Sequence, residues 1–288
     1  MSRKIFFSVL IVFVVFGIYG TAYSETLKAP RTVQGIGFPA GTEVEFYGSG
    51  QISLAELVQD QKIGDVDFTK GTRLLFYEMG KIRIAVLRRE QDIQGVPCIG
   101  EAYFYQSGKL KSALLSRDKE IQGIPFSKGS RIALLQSGKI RGGPLGESRK
   151  IQEINFPKGA GVYFGDSGKL SMAYLPADQD IQGIPLAAGD VYFRESGKVS
   201  RGKLSRDAVI NGIKLPKDSG IELYPSGKLQ TAFLSKNTEI EGTKLGAGSM
   251  VSFTVDGKLI VNKNISQGAV NTPFSREKPK IPPRPQGK

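Results

Sequence analysis

The segment Phe104-Tyr105-Gln106-Ser107-Gly108-Lys109-Leu110 contains a Ser-Gly-Lys tripeptide that recurs along most of the chain. A second marker, Ile121-Gln122-Gly123-Ile124-Pro125-Phe126, recurs in the same register. The first marker places its glycines 28 to 30 residues apart, at Gly50, Gly80, Gly108, Gly138, Gly168, Gly197, Gly227 and Gly257. Self-similarity at a fixed period of this length indicates a tandem repeat architecture.

The two markers divide the chain into eight repeats of about 30 residues, which we number in chain order. Their boundaries are 29–58, 59–88, 89–116, 117–146, 147–176, 177–205, 206–235 and 236–264. A unit of this size cannot enclose a core by itself, so neighbouring units must share one. We therefore predict a single eight-repeat β domain over residues 25–264.

Apolar residues precede each marker glycine by four and by six positions, as Phe46 and Val44 precede Gly50. This two-residue period predicts a strand with one buried face. A second apolar run starts two residues after the glycine, so we predict a β-hairpin closed by a two-residue Ser-Gly loop. That run has apolar positions five and seven residues past the glycine, which breaks the alternation and predicts a bulge.

Polar residues at other fixed positions are predicted to form turns. Glutamines of the second marker are interpreted as turn residues at Gln34, Gln94, Gln122, Gln152 and Gln182. Three residues beyond each second strand, Asp and Asn side chains are expected to accept the backbone amide two residues further on. Repeat 8 departs from the pattern at Asn262 and Asn264, as a terminal capping unit should.

No stretch in residues 25–274 shows sustained 3.6-residue amphipathic periodicity. The predicted fold is all-β: eight tandem β-hairpin repeats of about 30 residues forming an elongated sheet or solenoid. An eight-bladed, propeller-like ring is the alternative. Propeller blades usually need about 40–50 residues, so the shorter repeat favours the open array.

The Ser-Gly-Lys-Leu hairpins with aromatic residues just upstream, as in Phe104 to Leu110, resemble the variant MORN-type repeats found in many bacterial proteins. The resemblance covers the hairpin half of each repeat. It implies a scaffold or interaction surface and supplies no catalytic residues.

The composition excludes several kinds of chemistry. The chain has no histidine and one cysteine, Cys98, which excludes histidine-dependent catalytic pairs, an intrachain disulfide framework and the usual zinc sites. Cys98 occupies the position held by phenylalanine in other repeats, so we predict a buried, unreactive thiol. We predict no metal and no cofactor, since each Asp turn offers one carboxylate whereas calcium needs six to eight oxygen ligands.

The two ends of the chain have different compositions from the repeats. Arg3 and Lys4 precede an apolar run and then Ala22-Tyr23-Ser24, which predicts a signal peptide over residues 1–24 cleaved before Glu25. An uncleaved N-terminal membrane anchor is the alternative. Residues 265–288 are basic and proline-rich, which predicts a disordered tail. The chain is thus expected to be exported, to the periplasm or the extracellular space, with membrane contact open through either end.

Lysine follows the marker glycine in seven of the eight repeats, at Lys81, Lys109, Lys139, Lys169, Lys198, Lys228 and Lys258. If the repeats stack in one direction, these lysines form a ridge that would attract an anionic polymer or lipid headgroup. The alternative is that lysine protects hairpin ends from aggregation. The net charge of +13 is consistent with both.

We expect an exported, non-enzymatic protein that acts as a binding or scaffolding surface in the cell envelope. A module that binds anionic polymer or lipid headgroups through the lysine ridge is the alternative. An enzyme that acts on glycans through paired carboxylates is a third hypothesis. The expected partner is an envelope protein or an anionic envelope polymer. Nucleic acid is not expected, because an exported chain without a nucleic-acid motif does not encounter it.

Overall fold

A computed structural model describes residues 23–260 of the chain. The predicted signal peptide, apart from Tyr23 and Ser24, and the predicted tail lie outside the described residues. So do Asn262 and Asn264, where repeat 8 is predicted to end the array. The described residues form strands, turns and loops without a helix. Residues 23–260 accordingly contain no helix that could cross a lipid bilayer.

The strands, in chain order, are β1 (Tyr23–Thr26), β2 (Arg31–Val33), β3 (Ile36–Phe38), β4 (Glu43–Phe46), β5 (Ile52–Glu56), β6 (Gln61–Ile63), β7 (Val66–Phe68), β8 (Arg73–Phe76), β9 (Ile82–Ile93), β10 (Val96–Phe104), β11 (Leu110–Leu115), β12 (Lys119–Ile121), β13 (Ile124–Phe126), β14 (Arg131–Leu134), β15 (Ile140–Pro144), β16 (Arg149–Ile151), β17 (Ile154–Phe156), β18 (Gly161–Phe164), β19 (Leu170–Leu175), β20 (Gln179–Ile181), β21 (Ile184–Leu186), β22 (Gly189–Phe193), β23 (Val199–Lys203), β24 (Ala208–Ile210), β25 (Ile213–Leu215), β26 (Gly220–Leu223), β27 (Leu229–Phe233), β28 (Thr238–Ile240), β29 (Thr243–Leu245), β30 (Met250–Phe253) and β31 (Leu259–Ile260).

The described chain divides into two compact units, residues 23–119 with 131–138 and residues 120–130 with 139–260. The main sheet of the first unit pairs its strands in the order β1, β4, β5, β8, β9, β10, β11 and β14. In the second unit the order is β15, β18, β19, β22, β23, β26, β27, β30 and β31. The other fourteen strands form seven small two-stranded hairpins.

Hydrogen-bonded pairing continues from one repeat to the next within each unit. For example, β5 of repeat 1 pairs with β8 of repeat 2, and Ala55 lies opposite Leu74. In a propeller each blade is a separate sheet, so this pairing distinguishes the two architectures. The predicted all-β array of hairpin repeats is confirmed, and each unit is an open, elongated antiparallel sheet.

The small hairpins cover one face of the main sheet. Phe68 of β7 is fully buried and lies edge-on to Phe104 of β10, with ring centres 6.3 Å apart. Phe156 and Phe193 make the same contact in the second unit, at 6.4 Å. In both pairs one phenylalanine belongs to the repeat that follows in the chain. The core is thus shared between neighbouring repeats, as their size requires.

A bulge in the second strand of six main-sheet hairpins explains the broken alternation. In repeat 1 the pairing moves from Glu45–Leu54 to Phe46–Ile52, which leaves Ser53 without an opposite residue. The extra residue brings both Ile52 and Ala55 to the buried face. The predicted bulge is confirmed, and the same register shift occurs in the hairpins β8–β9, β10–β11, β18–β19, β22–β23 and β26–β27.

Repeat 3 differs from its neighbours because it has two fewer residues than the usual 30. The missing residues remove the turn that separates a small hairpin from the next main-sheet strand. As a result β9 and β10 continue without a break from the main sheet into their own hairpin, with 12 and 9 residues. Gln91 and Cys98 face each other in the extended part.

Strand β1 covers the free end of the core in repeat 1. The ring of Tyr23 stacks on Phe46 with centres 4.7 Å apart. The guanidinium of Arg31 lies 5.5 Å from the same ring and forms an ion pair of 2.6 Å with Glu25. Cleavage before Glu25 stays a prediction, and it would remove Tyr23 and Ser24 from this strand.

Candidate binding surface

The hairpin loops that carry the predicted lysine ridge contain three residues. In repeat 1 the amide of Gly50 donates to the carbonyl of Tyr47 at 2.8 Å, and the amide of Tyr47 donates to the carbonyl of Gln51 at 2.7 Å. Gly50 has a φ of 83°. This is a type I turn followed by a glycine bulge, so the prediction of a two-residue loop is wrong. Two-residue and three-residue loops both need a glycine with positive φ at this position. The glycine in the sequence therefore does not distinguish them.

The structure places all seven ridge lysines at exposed positions just after the loop glycine. Lys198 Nζ donates to the carbonyl of Ser226, 3.4 Å away, in the next repeat. Apart from Lys139, which has a partner of its own, no ridge lysine forms a salt bridge with a described carboxylate. The ammonium groups of the ridge lysines other than Lys139 and Lys198 are therefore available to an anion.

The ridge is not uniform in charge, because some loops also carry a carboxylate. In four repeats an acidic residue lies one or two positions before the loop glycine. These residues are Glu78, Asp166, Glu195 and Asp256. The loops of repeats 3, 4 and 7 have none between the strand and the lysine. The local charge therefore varies along the ridge although the lysine recurs.

A second set of cations, which the two sequence markers do not indicate, adjoins the ridge. The residue two positions after the ridge lysine is exposed and basic in three repeats, as Arg83, Lys111 and Arg141, and the first two are unpaired bulge residues. In other repeats it is Ser53, Ser171, Ser200 or Gln230. An alignment of the eight repeats would have shown these cations. They lie directly after the first apolar residue of the second strand.

The face of the main sheet opposite the small hairpins, here called the open face, is rich in tyrosine. Ten of the eleven phenylalanines in the described chain are buried in the core. By contrast, eight tyrosines alternate with buried neighbours and lie on the open face: Tyr47, Tyr77, Tyr103, Tyr105, Tyr163, Tyr174, Tyr192 and Tyr224. Apart from Phe233, which lies opposite Gly220 as Tyr174 lies opposite Gly161, the two aromatic residue types are divided between the two faces of the sheet.

Several of these tyrosines connect one repeat to the next. The hydroxyl of Tyr77 donates to the carbonyl of Phe104 at 3.0 Å, 27 residues further along the chain. Tyr47, Tyr105 and Tyr224 make the equivalent bond over 29 residues. Each ring therefore lies across the intervening strand in a fixed position.

The glutamines of the second marker clamp the hairpin loops. Gln94 and Gly95 both have positive φ, 52° and 82°, and form a type I′ turn. The Gln94 side chain accepts the amide of Leu110 at 2.9 Å and donates to the carbonyl of Gly108 at 2.9 Å. The interpretation of these glutamines as turn residues is confirmed. Their side chains also bind the hairpin loop of the main sheet. Equivalent residues at Gln34, Gln122, Gln152, Gln182 and Asn211 accept the matching amide.

The acidic turn residues have a different partner from the one predicted. Asp60 accepts the amide of Lys70 at 2.8 Å, ten residues further on, and Asp207 accepts that of Lys217 at 2.6 Å. The expected bond to the amide two residues on is therefore wrong at these turns. The small hairpin lies between Asp60 and Lys70 and brings these two residues together. The carboxylate therefore reaches the amide ten residues away.

Cys98 is fully buried, as predicted. Its Sγ lies 3.1 Å from the carbonyl oxygen of Val96. Burial raises the pKa of the thiol to about 12, and the nearby Asp92 carboxylate acts in the same direction. A neutral, inaccessible thiol is a poor nucleophile.

A pair of carboxylates lies on the open face of the first unit. Glu43 and Glu56 are direct cross-strand partners. Glu56 forms ion pairs with Arg88 at 2.8 Å and Arg73 at 3.7 Å, so its charge is balanced by the neighbouring repeat. Within residues 23–260, no group of three or more acidic, cysteine or histidine side chains is arranged to hold a metal ion.

Each unit has an open face with tyrosines and cations, and exposed lysines follow its hairpin loops. In comparisons with known proteins, no family model matches the chain and no curated protein matches its sequence.

Proposed function

We propose that the chain is an exported, non-enzymatic repeat protein that acts as a binding or scaffolding surface in the cell envelope, and that its open face makes the contact. The observation that carries the proposal is the division of aromatic residues between the two faces of the main sheet. Tyrosine on a solvent-facing sheet provides large contact area together with a polar group, which is typical of binding surfaces.

The central row of the open face in the second unit shows this chemistry most clearly. Tyr163, Met172, Tyr192 and Arg201 are successive cross-strand neighbours. Arg201 lies 5.7 Å from the centre of the Tyr192 ring and pairs with Glu222 at 3.1 Å. Tyrosine and arginine are among the residues enriched at protein interfaces, whereas Met172 itself is buried between them. Contacts within the row hold these side chains in place before any partner binds.

Membership in the variant MORN-type class is part of the proposal. It is supported by the Ser-Gly-Lys hairpins and by the continuous sheet that they form in each unit. Export is supported by the n-region, apolar run and small residues of segment 1–24.

The proposal is tested by fractionating cells that express the full chain and measuring its retention by washed envelope. We expect the chain in the exported fraction and a saturable association with envelope. The double variant Tyr174→Ser/Tyr192→Ser should reduce the association at least about fivefold, because aromatic anchors dominate interface energies.

The matched control is Val209→Ser/Val255→Ser, which removes two exposed apolar side chains outside the open face. Its association should equal that of the unchanged protein. Equal loss in both double variants, or loss in neither, would contradict the assignment of the open face. Retention of the whole chain in the cytoplasm would contradict the proposed export.

A further inference from the structure

The ends of the two adjacent main-sheet hairpins of repeats 2 and 3 form the most strongly cationic surface within the first unit. We define a cationic patch by Lys81, Arg83, Lys109, Lys111, Tyr77 and Tyr105. The hairpins β8–β9 and β10–β11 are joined by the pairing of β9 with β10, where Ile84 lies opposite Tyr103. Equivalent positions on neighbouring hairpins are two strands apart, or about 10 Å.

The bulges turn two of these cations onto the open face. In the hairpin β8–β9 the pairing moves from Leu75–Ile84 to Phe76–Ile82, so Arg83 has no opposite residue. Lys111 has the same place in the hairpin β10–β11. Both side chains are exposed. The loop lysines and the bulge cations therefore lie side by side, separated by one residue in each strand.

The two tyrosines provide fixed aromatic surfaces among these charges. The hydroxyl of Tyr77 is bonded to the carbonyl of Phe104 and that of Tyr105 to the carbonyl of Leu134. The Lys111 ammonium lies 5.5 Å from the centre of the Tyr105 ring. With both hydroxyls engaged, a ligand can contact only the rings, and at Tyr105 it contacts the ring together with the Lys111 ammonium.

The patch has a net positive charge that salt bridges do not neutralise. Segments 77–83 and 105–111 contain four cations and one carboxylate, Glu78. None of the four cations forms a salt bridge with a described residue. In repeat 5, by contrast, segment 165–171 combines one lysine with one carboxylate, and in repeat 6 segment 194–200 combines Arg194 and Lys198 with Glu195. The bulge residue is serine in both repeats. Within the first unit, the equivalent segment 47–53 of repeat 1 carries no charge, so electrostatic attraction of an anion is strongest at repeats 2 and 3.

The backbone at this patch restricts how a ligand can bind. Strands β9 and β10 are paired on both sides, so a peptide cannot add as a further strand. Only side chains are available, and they combine ring faces with separated positive charges. Apolar C–H faces of sugar rings stack on aromatic rings, and acidic groups on the sugars pair with ammonium and guanidinium groups.

We propose that the cationic patch binds an anionic polysaccharide, a linear glycan with carboxylate groups that lies across the hairpins of repeats 2 and 3. This assignment rests on the proposed function, since it names the class of partner for part of the open face. A polymer fits better than a single small anion, because the cations of neighbouring hairpins are about 10 Å apart.

The test measures binding of polygalacturonate to the purified full chain by titration calorimetry at low and high salt. The variant Lys109→Glu/Lys111→Glu should weaken binding at least about tenfold, because two charge-assisted contacts become repulsive. The control Lys169→Glu/Lys198→Glu makes the same change in net charge at other hairpins and should change binding less than about threefold. Far-ultraviolet circular dichroism checks that both variants are folded.

A second variant tests the aromatic contribution. Tyr105→Leu introduces the side chain found at the equivalent position of repeat 4, Leu135, and should weaken binding about fivefold. Polyglutamate and phosphatidylglycerol vesicles serve as comparison ligands, and both should bind more weakly than polygalacturonate. Equal binding of polyglutamate, preferential binding of the vesicles, or equal effects of the two double variants would overturn the proposal.

The outcomes also separate this proposal from the proposed function. Unchanged polygalacturonate binding in Lys109→Glu/Lys111→Glu, together with envelope retention through the open face, would overturn the glycan assignment alone. Loss of export or of envelope association in the unchanged chain would overturn the proposed function, whatever the result with polygalacturonate.

Discussion

The hydroxyl of Tyr105 donates a hydrogen bond to the carbonyl oxygen of Leu134, 2.9 Å away and 29 residues further along the chain. The two residues belong to neighbouring repeats, so the bond adds a side-chain connection to the backbone pairing between them. Because the same bond recurs at Tyr47, Tyr77 and Tyr224, it is a general device for joining repeats.

We expect Tyr105→Phe to lower the free energy of unfolding by about 1 kcal/mol, since the ring is kept and one part-buried hydrogen bond is lost. Urea denaturation of the purified chain measures the change. Tyr174→Phe is the matched control, because Tyr174 is 51% exposed and has no such bond within the described chain. Similar midpoints for the two variants would show that the inter-repeat bond does not contribute.

A second prediction concerns the glutamine clamp. Gln94→Ala removes both bonds to the loop of repeat 3, to the amide of Leu110 and the carbonyl of Gly108, and should cost about 1–2 kcal/mol. Gln94→Asn should cost less than about 0.5 kcal/mol, because asparagine tolerates positive φ and Asn211 makes the amide bond in repeat 7. Denaturation midpoints of the two variants test this order, and a larger cost for Asn than for Ala would refute the clamp.

The sequence predicted the strands because their two-residue period is a local pattern. Offsets of four and six residues from the marker glycine correctly placed Phe46 and Val44 on the buried face. Side-chain partners were beyond prediction where they depend on how the chain returns on itself. Gln94 and Leu110 are 16 residues apart, and Asp60 and Lys70 are ten apart. The alternation of phenylalanine and tyrosine along the strands shows that they lie on opposite faces of the sheet. The alternation alone does not show which of the two faces is buried.

Gly142 should be the glycine least tolerant of substitution. Its φ is 150°, and an added Cβ would lie 2.1 Å from the carbonyl oxygen of Val162 on the adjacent strand. We expect Gly142→Ala to cost about 3 kcal/mol or more, since a backbone atom cannot move aside as a flexible side chain can. Thermal denaturation and soluble yield measure the effect.

The control for Gly142 is Gly37, which also lies in a strand. Gly37 has no atom within 4 Å of an added Cβ, so Gly37→Ala should leave stability almost unchanged. A Gly142→Ala variant as stable as Gly37→Ala would mean that the two strands at Gly142 can separate without cost.

Cys98 gives a prediction with a defined pH dependence. Burial raises the pKa of the thiol from its ordinary value of 9.0 to about 12, so the folded chain keeps the proton where the unfolded chain loses it. Stability is therefore unaffected below pH 9 and falls as pH rises from 9.0 towards 12. Between pH 8 and pH 10 this loss should be about 1 kcal/mol. Cys98→Ala lacks the titrating group, so the stability difference between the unchanged chain and the variant should shrink by that amount.

The same burial predicts slow chemical modification of Cys98. At pH 8 an iodoacetamide reagent should leave the folded chain unmodified and should label it rapidly in concentrated urea, because the thiolate is the reactive form. The modified fraction is measured by mass spectrometry. Labelling of the folded chain at the rate of the unfolded one would contradict a buried thiol. A stability difference from Cys98→Ala that stays constant between pH 8 and pH 10 would contradict the raised pKa, because only a group that titrates differently in the two states changes stability with pH.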